Sequence, residues 1–356
     1  ILNGSTPSSS EGSYWDGDIF WATPEDIGSV NGKVLRDTRR KITEAGYRNS
    51  GTRLAPAGSI VLTTRAPVGN LAIAGMQLCT NQGCKTLVPK DAVDASFAYY
   101  QFMARRNELE MFATGTTFQE LSSEKLSALD LWLPSLAKQR AIAAYLDRHT
   151  ARLDDLIATK QQLLAVLAEK RQALITHAVT RGLDPAAPLR DSGVPWLGEI
   201  PAYWEIIPIK HLARVGNGST PLRDNEAYWQ NGAYPWLTST VVNDELVGEP
   251  TDWITPTALR ECHLPFVPPN SVLVAITGQG KTRGKAAILP YEATINQHLA
   301  YLSPYQNRLD STYLQLSLTA SYDVLRMVSE GTGSTKGALT CEQLGAFPIT
   351  LPPLTE

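Results

Sequence analysis

The sequence predicts an α+β fold in which two copies of one domain are joined by a long helix. Short peptides recur in the same order about 215 residues apart, which indicates a duplicated domain rather than a solenoid of short repeats. Each copy combines strand-like and helix-like segments, and a segment without proline or glycine lies between the copies. The 356 residues suffice for two domains of ordinary size.

The internal repeat rests on peptides that occur in matching order. The pentapeptide NGSTP at residues 3–7 recurs at residues 217–221, and the dipeptide NQ at residues 81–82 recurs at residues 296–297. The pattern Leu-Pro-x-Leu ends each copy. The order never breaks while the spacing drifts by a few residues, as loop insertions in one copy would cause.

Within each copy, predicted strands come first and predicted helices follow. Residues 59–64 and 271–277 are short aliphatic runs that follow a turn, so each predicts a buried strand. A glycine-containing loop and a second apolar run follow in both copies. Apolar residues then recur at intervals of three and four, which predicts helices over about residues 95–112 and 311–329. This mixture favours an α+β domain.

A long helix is predicted between the copies. Residues 138–179 contain no proline and no glycine, and a helix of this length would extend about 60 Å. When His149, Lys160 and Lys170 fill the gaps, the apolar residues fall at alternating steps of four and three, which is the seam of a coiled coil. The seam residues are Ile142, Leu146, Leu153, Leu156, Leu163, Leu167 and Leu174. The alternative interpretation is a long helix that packs on a globular core.

These elements predict how the chain is divided. We expect a first domain at residues 1–136, the helix as a coiled-coil spacer at 137–181, a linker rich in proline and glycine at 182–203, a second domain at 204–353, and the start of a second helix at 354–356. The first copy begins at the position of Val215, so we expect it to lack the front strand. The second helix is the expected partner of the first.

Composition argues against several classes of protein. No run of 18 or more apolar residues occurs, and no secretory signal pattern begins the chain, so we expect a cytoplasmic protein without a membrane-spanning helix. The four cysteines are too few and too scattered for a disulfide framework. Neither they nor the five histidines have the spacing of a zinc site, so we expect free thiols and no metal.

One motif resembles that of an enzyme, a relaxed phosphate-loop pattern at residues 275–282. Ala275 replaces its first glycine, and Pro290 interrupts the following segment before a phosphate-binding helix could form. The matching loop of the first copy lacks the pattern. The sequence contains no nucleophile elbow, zinc-protease motif, dinucleotide-binding motif or adenine-methyltransferase motif, so we expect no active site in this chain.

Charge is segregated along the chain, although the formal net charge is only -3. Residues 33–53 carry seven basic and two acidic residues, whereas residues 1–30 carry five acidic and no basic ones. Basic clusters among polar side chains are typical of surfaces that bind DNA phosphates and read base edges. The alternative is a solvated basic face, or, around Lys336, an ordinary glycine-rich turn. The candidate DNA-binding residues are Arg36, Arg39, Arg40, Lys41, Arg48, Arg53, Arg65, Lys281, Arg283, Lys285 and Lys336.

Several of the repeated peptides also form a family pattern. They are GSTP at residues 4–7 and 218–221, TNQ at 80–82 and INQ at 295–297, LPSLAKQRAI at 133–142, and VPWLGEIP at 194–201 followed by Trp204. With them the chain resembles the specificity subunit of Type I restriction-modification enzymes over essentially its whole length. Each motif is weak alone, but their order and repetition are specific.

The resemblance implies a non-catalytic reader of double-stranded DNA with two target-recognition domains. Each domain would read one half of a bipartite asymmetric site, and two antiparallel helices would set the spacing and dock two DNA methyltransferase subunits. Those subunits would bind S-adenosylmethionine and methylate adenine, and motor-nuclease restriction subunits would cut with ATP and magnesium, so this chain would hold no cofactor. The alternatives are a specificity module of another restriction-methylation type and a coiled-coil scaffold without DNA affinity.

Overall fold

The computed structural model describes residues 1–65, 67–113, 120–278, 280–330 and 337–356. The chain divides into two units, Ile1–Lys160 and Gln161–Glu356. The long helix predicted between the copies begins in the first unit and ends in the second.

The first unit places short helices beside mixed sheets. Its strands are β1 (Leu2–Asn3), β2 (Trp15–Ala22), β3 (Val34–Leu35), β4 (Arg40–Ile42), β5 (Ile60–Thr63), β6 (Leu71–Ala74), β7 (Leu78–Thr80) and β8 (Cys84–Leu87). Its helices are α1 (Pro24–Gly28), α2 (Glu44–Arg48), α3 (Ala95–Ala104), α4 (Arg106–Phe112), α5 (Ser123–Ser127) and the first part of α6 (Leu136–Arg181). The larger sheet has the order β1-β8-β5-β6-β3 and the smaller β4-β2-β7.

Strand β5 is buried on both faces, which explains its unbroken aliphatic sequence. Successive side chains of a strand point to opposite faces. Ile60 and Leu62 therefore pack with helix residues such as Phe102, whereas Val61 packs on the other side with Leu78 of the smaller sheet. The core of this unit thus lies on both sides of the larger sheet.

The second unit is built in the same way. Its strands are β9 (Leu189–Asp191), β10 (Glu199–Pro201), β11 (Glu205–Pro208), β12 (Ala213–Asn217), β13 (Tyr234–Leu237), β14 (Asp252–Ile254), β15 (Ser271–Ala275), β16 (Ala286–Leu289), β17 (Thr294–Ile295), β18 (Leu299–Pro304) and β19 (Pro348–Leu351). Its helices are the end of α6, α7 (Glu226–Trp229), α8 (Pro256–Glu261), α9 (Ser311–Ala320), α10 (Tyr322–Glu330) and α11 (Cys341–Ala346). The sheet orders are β12-β18-β15-β16, β14-β13-β17, β11-β19 and β10-β9.

The strand orders confirm the predicted duplication and the α+β class. The order β1-β8-β5-β6 of the first unit recurs as β12-β18-β15-β16, and β4-β2-β7 recurs as β14-β13-β17. Each stretch predicted as one late helix is two helices, however, because the backbone leaves the helical region at one residue. That residue is Arg105 in the first unit (φ -106°, ψ 21°) and Ser321 in the second (φ -94°, ψ 11°).

Helix α6 confirms the predicted long helix. Its 46 residues extend about 69 Å. Gln139 and Ala143 near its start and Val179 near its end are buried, whereas residues 151–174 are all exposed. Of the seam residues, Ile142 and Leu146 are half-buried, and Leu153, Leu156, Leu163, Leu167 and Leu174 are exposed by 47–61%. The exposed middle does not fit a helix packed along a globular core, and the partner helix stays a prediction.

The end of α6 is fastened to the second unit. The carbonyl of Val179 accepts hydrogen bonds from the hydroxyls of Tyr313 (3.2 Å) and Thr350 (2.6 Å). Gly182 follows the helix with a φ of +74°, a conformation that favours glycine and ends helices. Of the helices in the described ranges, none has both the length and the hydropathy needed to cross a bilayer.

The segment predicted as a linker contains a β-hairpin. Strands β9 and β10 pair antiparallel, and Trp196 in the turn between them stacks on Phe347 with 5.5 Å between ring centroids. Gly193 and Gly198 have positive φ angles of 70° and 63°, so the glycines that predicted a linker are turn residues. Residues 354–356 form a turn. The second helix and the domain boundaries stay predictions.

Candidate nucleic-acid interface

The GSTP loop of the first unit packs tightly against the end of β7. A Cβ atom on Gly4 would lie 1.9 Å from the carbonyl oxygen of Asn81, so a larger residue does not fit. The amide of Ser5 donates to the carbonyl of Thr80 (2.9 Å), and the Ser5 carbonyl accepts from the indole Nε1 of Trp21 (3.0 Å). The loop is therefore fixed on both sides.

The GSTP loop of the second unit repeats these contacts at the end of β17. A Cβ atom on Gly218 would lie 1.8 Å from the carbonyl oxygen of Ile295. The amide of Ser219 donates to the same carbonyl (3.1 Å), and the Ser219 carbonyl accepts from Nε1 of Trp236 (3.1 Å). The repeated peptide thus encodes one geometry in both units.

Each loop presents an exposed pair of polar side chains. The hydroxyl of Thr6 donates to Oε1 of Gln82, and the hydroxyl of Thr220 donates to Oε1 of Gln297. All four residues are exposed. Nε2 of Gln82 bonds to no other described residue, and Nε2 of Gln297 lies 3.4 Å from Nε2 of His298. In each pair the glutamine carbonyl accepts from the threonine, and the exposed amide N–H groups are the donors that remain, one of them near His298 in the second unit.

An arginine covers a tryptophan pair beside the loop of the first unit. The rings of Trp15 and Trp21 meet edge to face with 5.1 Å between centroids. The guanidinium of Arg40 lies 3.5 Å from the centroid of Trp15, a cation–π contact. Arg40, a predicted DNA-binding residue, is exposed and also shields these indoles from water.

The second unit has the same tryptophan pair under a different arginine. Trp229 and Trp236 lie 5.1 Å apart, and the guanidinium of Arg223 lies 4.1 Å and 4.7 Å from their centroids. Arg223 comes from the loop before α7 and also pairs with Asp252 of β14 at 3.0 Å. Arg223 was not among the predicted residues, because Asp224 and Glu226 stand beside it and it belongs to no basic cluster of the sequence.

The predicted basic cluster of the first unit is partly neutralised. Four of its members have acidic partners: Lys33 with Asp147, Arg39 with Glu25, Lys41 with Asp37, and Arg48 with Glu44. Exposed pairs of this kind are weak and leave the cations accessible to phosphate. Arg36 and Arg53 are exposed and form no ion pair with any described residue.

Arg53 lies beside the GSTP loop. The hydroxyl of the preceding residue, Thr52, donates to the carbonyl of Thr80 (2.8 Å), which also anchors Ser5. A Cβ atom on Gly51 would lie 3.6 Å from Ser5. Arg53 is therefore a member of the basic cluster that has no ion pair with a described residue and whose backbone lies next to the GSTP loop.

Arg65 is placed beside the NQ peptide of the first unit. The amide of Thr64 donates to the carbonyl of Gly83 (2.8 Å), and Arg65 forms a β-bridge and a 3.1 Å ion pair with Glu120. The ammonium of Lys85 lies 4.0 Å from the same carboxylate, and burial lowers its pKa. Arg65 keeps an exposed side chain within this charged group.

The second unit has different side chains at the same place. The amide of Ile276 donates to the carbonyl of His298 (2.9 Å), and Thr277 bridges Ala338 as Arg65 bridges Glu120. The hydroxyl of Thr277 lies 2.6 Å from Nδ1 of His298. Thr277 and His298 were not predicted as site residues. The repeat could have indicated them, because Thr277 aligns with the predicted residue Arg65 and His298 aligns with Gly83 next to the NQ peptide.

Arg283 differs from the other predicted DNA-binding residues because it is buried. Its side chain is 4% exposed, and its guanidinium donates to the carbonyl of Gly337 (2.8 Å) and to the carboxylate of Glu330 (3.0 Å). These contacts occupy the face that a phosphate would need. The structure therefore gives Arg283 a supporting role within the second unit.

Two further basic candidates, Lys281 and Lys285, lie in or just after the relaxed phosphate-loop pattern at residues 275–282. Lys281 is exposed, and the half-buried Lys285 lies 3.4 Å from Oδ1 of Asn243. The chain continues from this loop into β16 rather than into a helix, so it lacks the helix N-terminus that cradles a phosphate in nucleotide-binding loops. Lys336 lies outside the described residues.

The cysteines are free thiols. Burial raises the pKa of Cys79 to about 11 and that of Cys84 to about 12. Within the ranges that the structure describes, no group of three or more histidine, cysteine, aspartate or glutamate residues is arranged to hold a metal ion. The candidate interface therefore consists of exposed polar and basic side chains.

A family model for the Type I restriction modification DNA specificity domain matches residues 1–165 and 201–356. The chain belongs to this family. It is a specificity subunit, and its role is DNA sequence recognition in a type I restriction-modification system.

Similar specificity subunits occur in archaea and bacteria. The chain is 29% identical to the Type I restriction enzyme MjaIX specificity subunit of Methanocaldococcus jannaschii, over 95% of this chain and 76% of that one. It is 24% identical to the EcoR124I/EcoR124II specificity subunit of Escherichia coli, over 62% of this chain and 50% of that one. Both relatives are named specificity subunits of type I restriction enzymes.

Solved structures share the fold of this specificity subunit. One is a chain from a study of complex assembly and conformational transition in the type I R-M system, with a TM-score of 0.72, 17% identity, and coverage of 100% of this chain and 84% of that one. Another is the HsdS subunit from Thermoanaerobacter tengcongensis, with a TM-score of 0.56, 17% identity, and coverage of 100% and 83%. They support the assignment of the fold.

Proposed function

We propose that the chain reads a bipartite, asymmetric site in double-stranded DNA, one half with each unit, and has no catalytic activity of its own. The supporting observation is that both units share one loop geometry, called here the frame, but have different side chains beside it. The GSTP and NQ peptides have the same geometry in both units, whereas Arg65 of the first unit is replaced by Thr277, which contacts His298, in the second. Different side chains in one frame suit two different half-sequences.

In this proposal Arg65 reads bases in one half-site and His298 in the other. Both are exposed beside the NQ turn. An arginine donates to acceptors on a guanine edge, whereas His298 presents a single ring nitrogen, Nε2, because its Nδ1 contacts Thr277. The two units therefore favour different bases beside the same turn.

The proposal assigns the catalytic steps to partner subunits. The exposed leucines in the middle of α6, such as Leu153, Leu163 and Leu174, form an apolar stripe that suits a second antiparallel helix and two DNA methyltransferase subunits. Adenine methylation with S-adenosylmethionine, and cleavage by motor-nuclease subunits with ATP and magnesium, belong to those partners. A complex that acts on the bacterial or archaeal chromosome works in the cytoplasm.

Mapping of adenine methylation by sequencing tests this function. A host that lacks the system receives the genes of the modification subunits with or without the gene of the complete specificity subunit. We expect a split motif with two unlike halves that is methylated only when the specificity gene is present. A continuous motif indicates a different restriction type, and unchanged methylation contradicts the proposal.

A further inference from the structure

We propose that the pair Thr6–Gln82 and its repeat Thr220–Gln297 bind DNA phosphates and seat each unit on the sugar–phosphate backbone without reading bases. The inference rests on the proposed function, because it adds a site to the same DNA complex. It assigns to each unit a contact for the phosphodiester group, separate from the candidate base-reading residues.

The direction of the hydrogen bond within each pair favours an acceptor ligand. The threonine hydroxyl already donates to Oε1 of the glutamine, so both amide N–H groups of Gln82, and the one of Gln297 that does not lie toward Nε2 of His298, remain to donate. A glutamine that reads adenine uses its carbonyl and its amide together, because adenine offers a donor beside an acceptor. A phosphate oxygen only accepts, which matches what the pairs present.

The repetition of the pair argues against base reading. Two half-sites of different sequence require different reading residues, whereas the backbone is chemically the same along both halves. Threonine and glutamine are identical in the two units, whereas the neighbouring Arg65 and Gly83 of the first unit are replaced by Thr277 and His298 in the second. The element common to both units therefore fits the part of DNA common to both half-sites.

Each pair is held in place before any ligand binds. Gly4 and Gly218 let the loops approach the strand ends closely, and Pro7 and Pro221 are buried directly after the threonines. A contact ordered during folding loses little conformational entropy on binding. In the first unit the exposed residue Arg53 follows Thr52, which bonds to the carbonyl that anchors Ser5, and it adds a positive charge near the same loop. These features suit a backbone anchor.

The variants Gln82→Glu and Gln297→Glu separate phosphate binding from loop support. A glutamate keeps the oxygen that accepts the threonine hydroxyl, so the loop stays fastened, but it replaces the amide donors with a negative charge. Gln306→Glu is the matched control, because Gln306 is exposed beyond the opposite end of β18 and the charge change is the same. Thr6→Ser keeps the hydroxyl and is expected to behave as the wild type.

The assay measures dissociation constants of the complete subunit with its modification partners for two labelled duplexes. One carries the methylation site mapped as above and the other has the same bases in scrambled order. We expect each glutamate variant to bind both duplexes about ten-fold or more weakly, as the loss of a hydrogen bond to a charged group predicts. The double variant is expected to show the product of the single effects, because the pairs are in separate units.

Two results would overturn the inference. One is unchanged affinity for both duplexes, and the other is a loss confined to the mapped site together with an altered methylation motif, which would make the glutamines base readers. If a variant unfolds, ethylation of single phosphates tests the wild-type complex instead: one blocking phosphate at the corresponding place in each half-site is expected, and none would contradict the site. If the wild type binds both duplexes equally, the proposed sequence recognition is wrong, whereas the proposed phosphate contact is not contradicted.

Discussion

The substitution Gln139→Ala tests how the first unit holds the start of α6. Gln139 is 1% exposed. Its Oε1 accepts from the amide of Asp94 at 2.8 Å, and its Nε2 donates to the carbonyls of Ala92 at 2.9 Å and Pro134 at 2.8 Å. One side chain thus joins the first turns of α6 to the segment before α3.

Truncation to alanine leaves one amide and two carbonyls without these partners. A buried group without a hydrogen bond costs about 1–3 kcal/mol. Water that enters the space left by the side chain offsets part of this cost. Asp94 and Pro134 are half-buried and Ala92 is exposed, so we expect the free energy of unfolding of the first unit to fall by about 2–3 kcal/mol, against the roughly 5–15 kcal/mol of an ordinary domain.

Urea unfolding with peptide-resolved amide exchange measures this loss separately in each unit. Gln161→Ala is the control, because Gln161 is exposed on the same helix and its loss is expected to change stability by less than about 0.5 kcal/mol. In Gln139→Ala, exchange should accelerate throughout the first unit, beginning at the amide of Asp94. Equal stability of Gln139→Ala and Gln161→Ala would refute the reasoning.

Three further predictions address the helix surface, the buried arginine and the thiols. Leu163→Asp on the exposed stripe of α6 should leave stability within about 0.5 kcal/mol but abolish co-elution with the methyltransferase subunits; retained co-elution would contradict the docking surface. Arg283→Ala should destabilise the second unit by about 2 kcal/mol and accelerate amide exchange near Glu330, and unchanged exchange would remove its supporting role. Burial raises the pKa of Cys84 from 9.0 to about 12. The protonated thiol therefore stabilises the folded first unit fully below pH 9, and this stabilisation is lost as the pH rises toward 12. A thiol reagent at about pH 8 should label the partly exposed Cys262 and spare Cys84 until the chain unfolds, which mass spectrometry would show.

The fold was predictable because its main signals are local or repeated. Residues 138–179 lack helix breakers, and their spacing of leucines indicates a helix without any knowledge of its surroundings. The peptides that recur in both copies align them, so a strand predicted in one copy is also predicted at the matching position of the other. The breaks at Arg105 and Ser321 were not predictable, because the apolar periodicity continues across a single non-helical residue.

The candidate site was predictable only in part, because charge counts along the sequence ignore distant partners. Arg283 was grouped with exposed lysines, but its partner Glu330 is 47 residues away. The contact of Thr6 with Gln82 joins residues 76 apart. Its only signal in the sequence is that the two peptides containing these residues recur together in the second copy.

Two single substitutions, one in each unit, test whether the two units read different halves of the site. Arg65→Ala and His298→Ala are each introduced into the complete subunit, and the adenine methylation motif is mapped by sequencing. Since each side chain belongs to a different unit, Arg65→Ala should relax bases in one half of the motif only and His298→Ala in the other half only. Changes by both variants in the same half, or no change by either, would contradict the account.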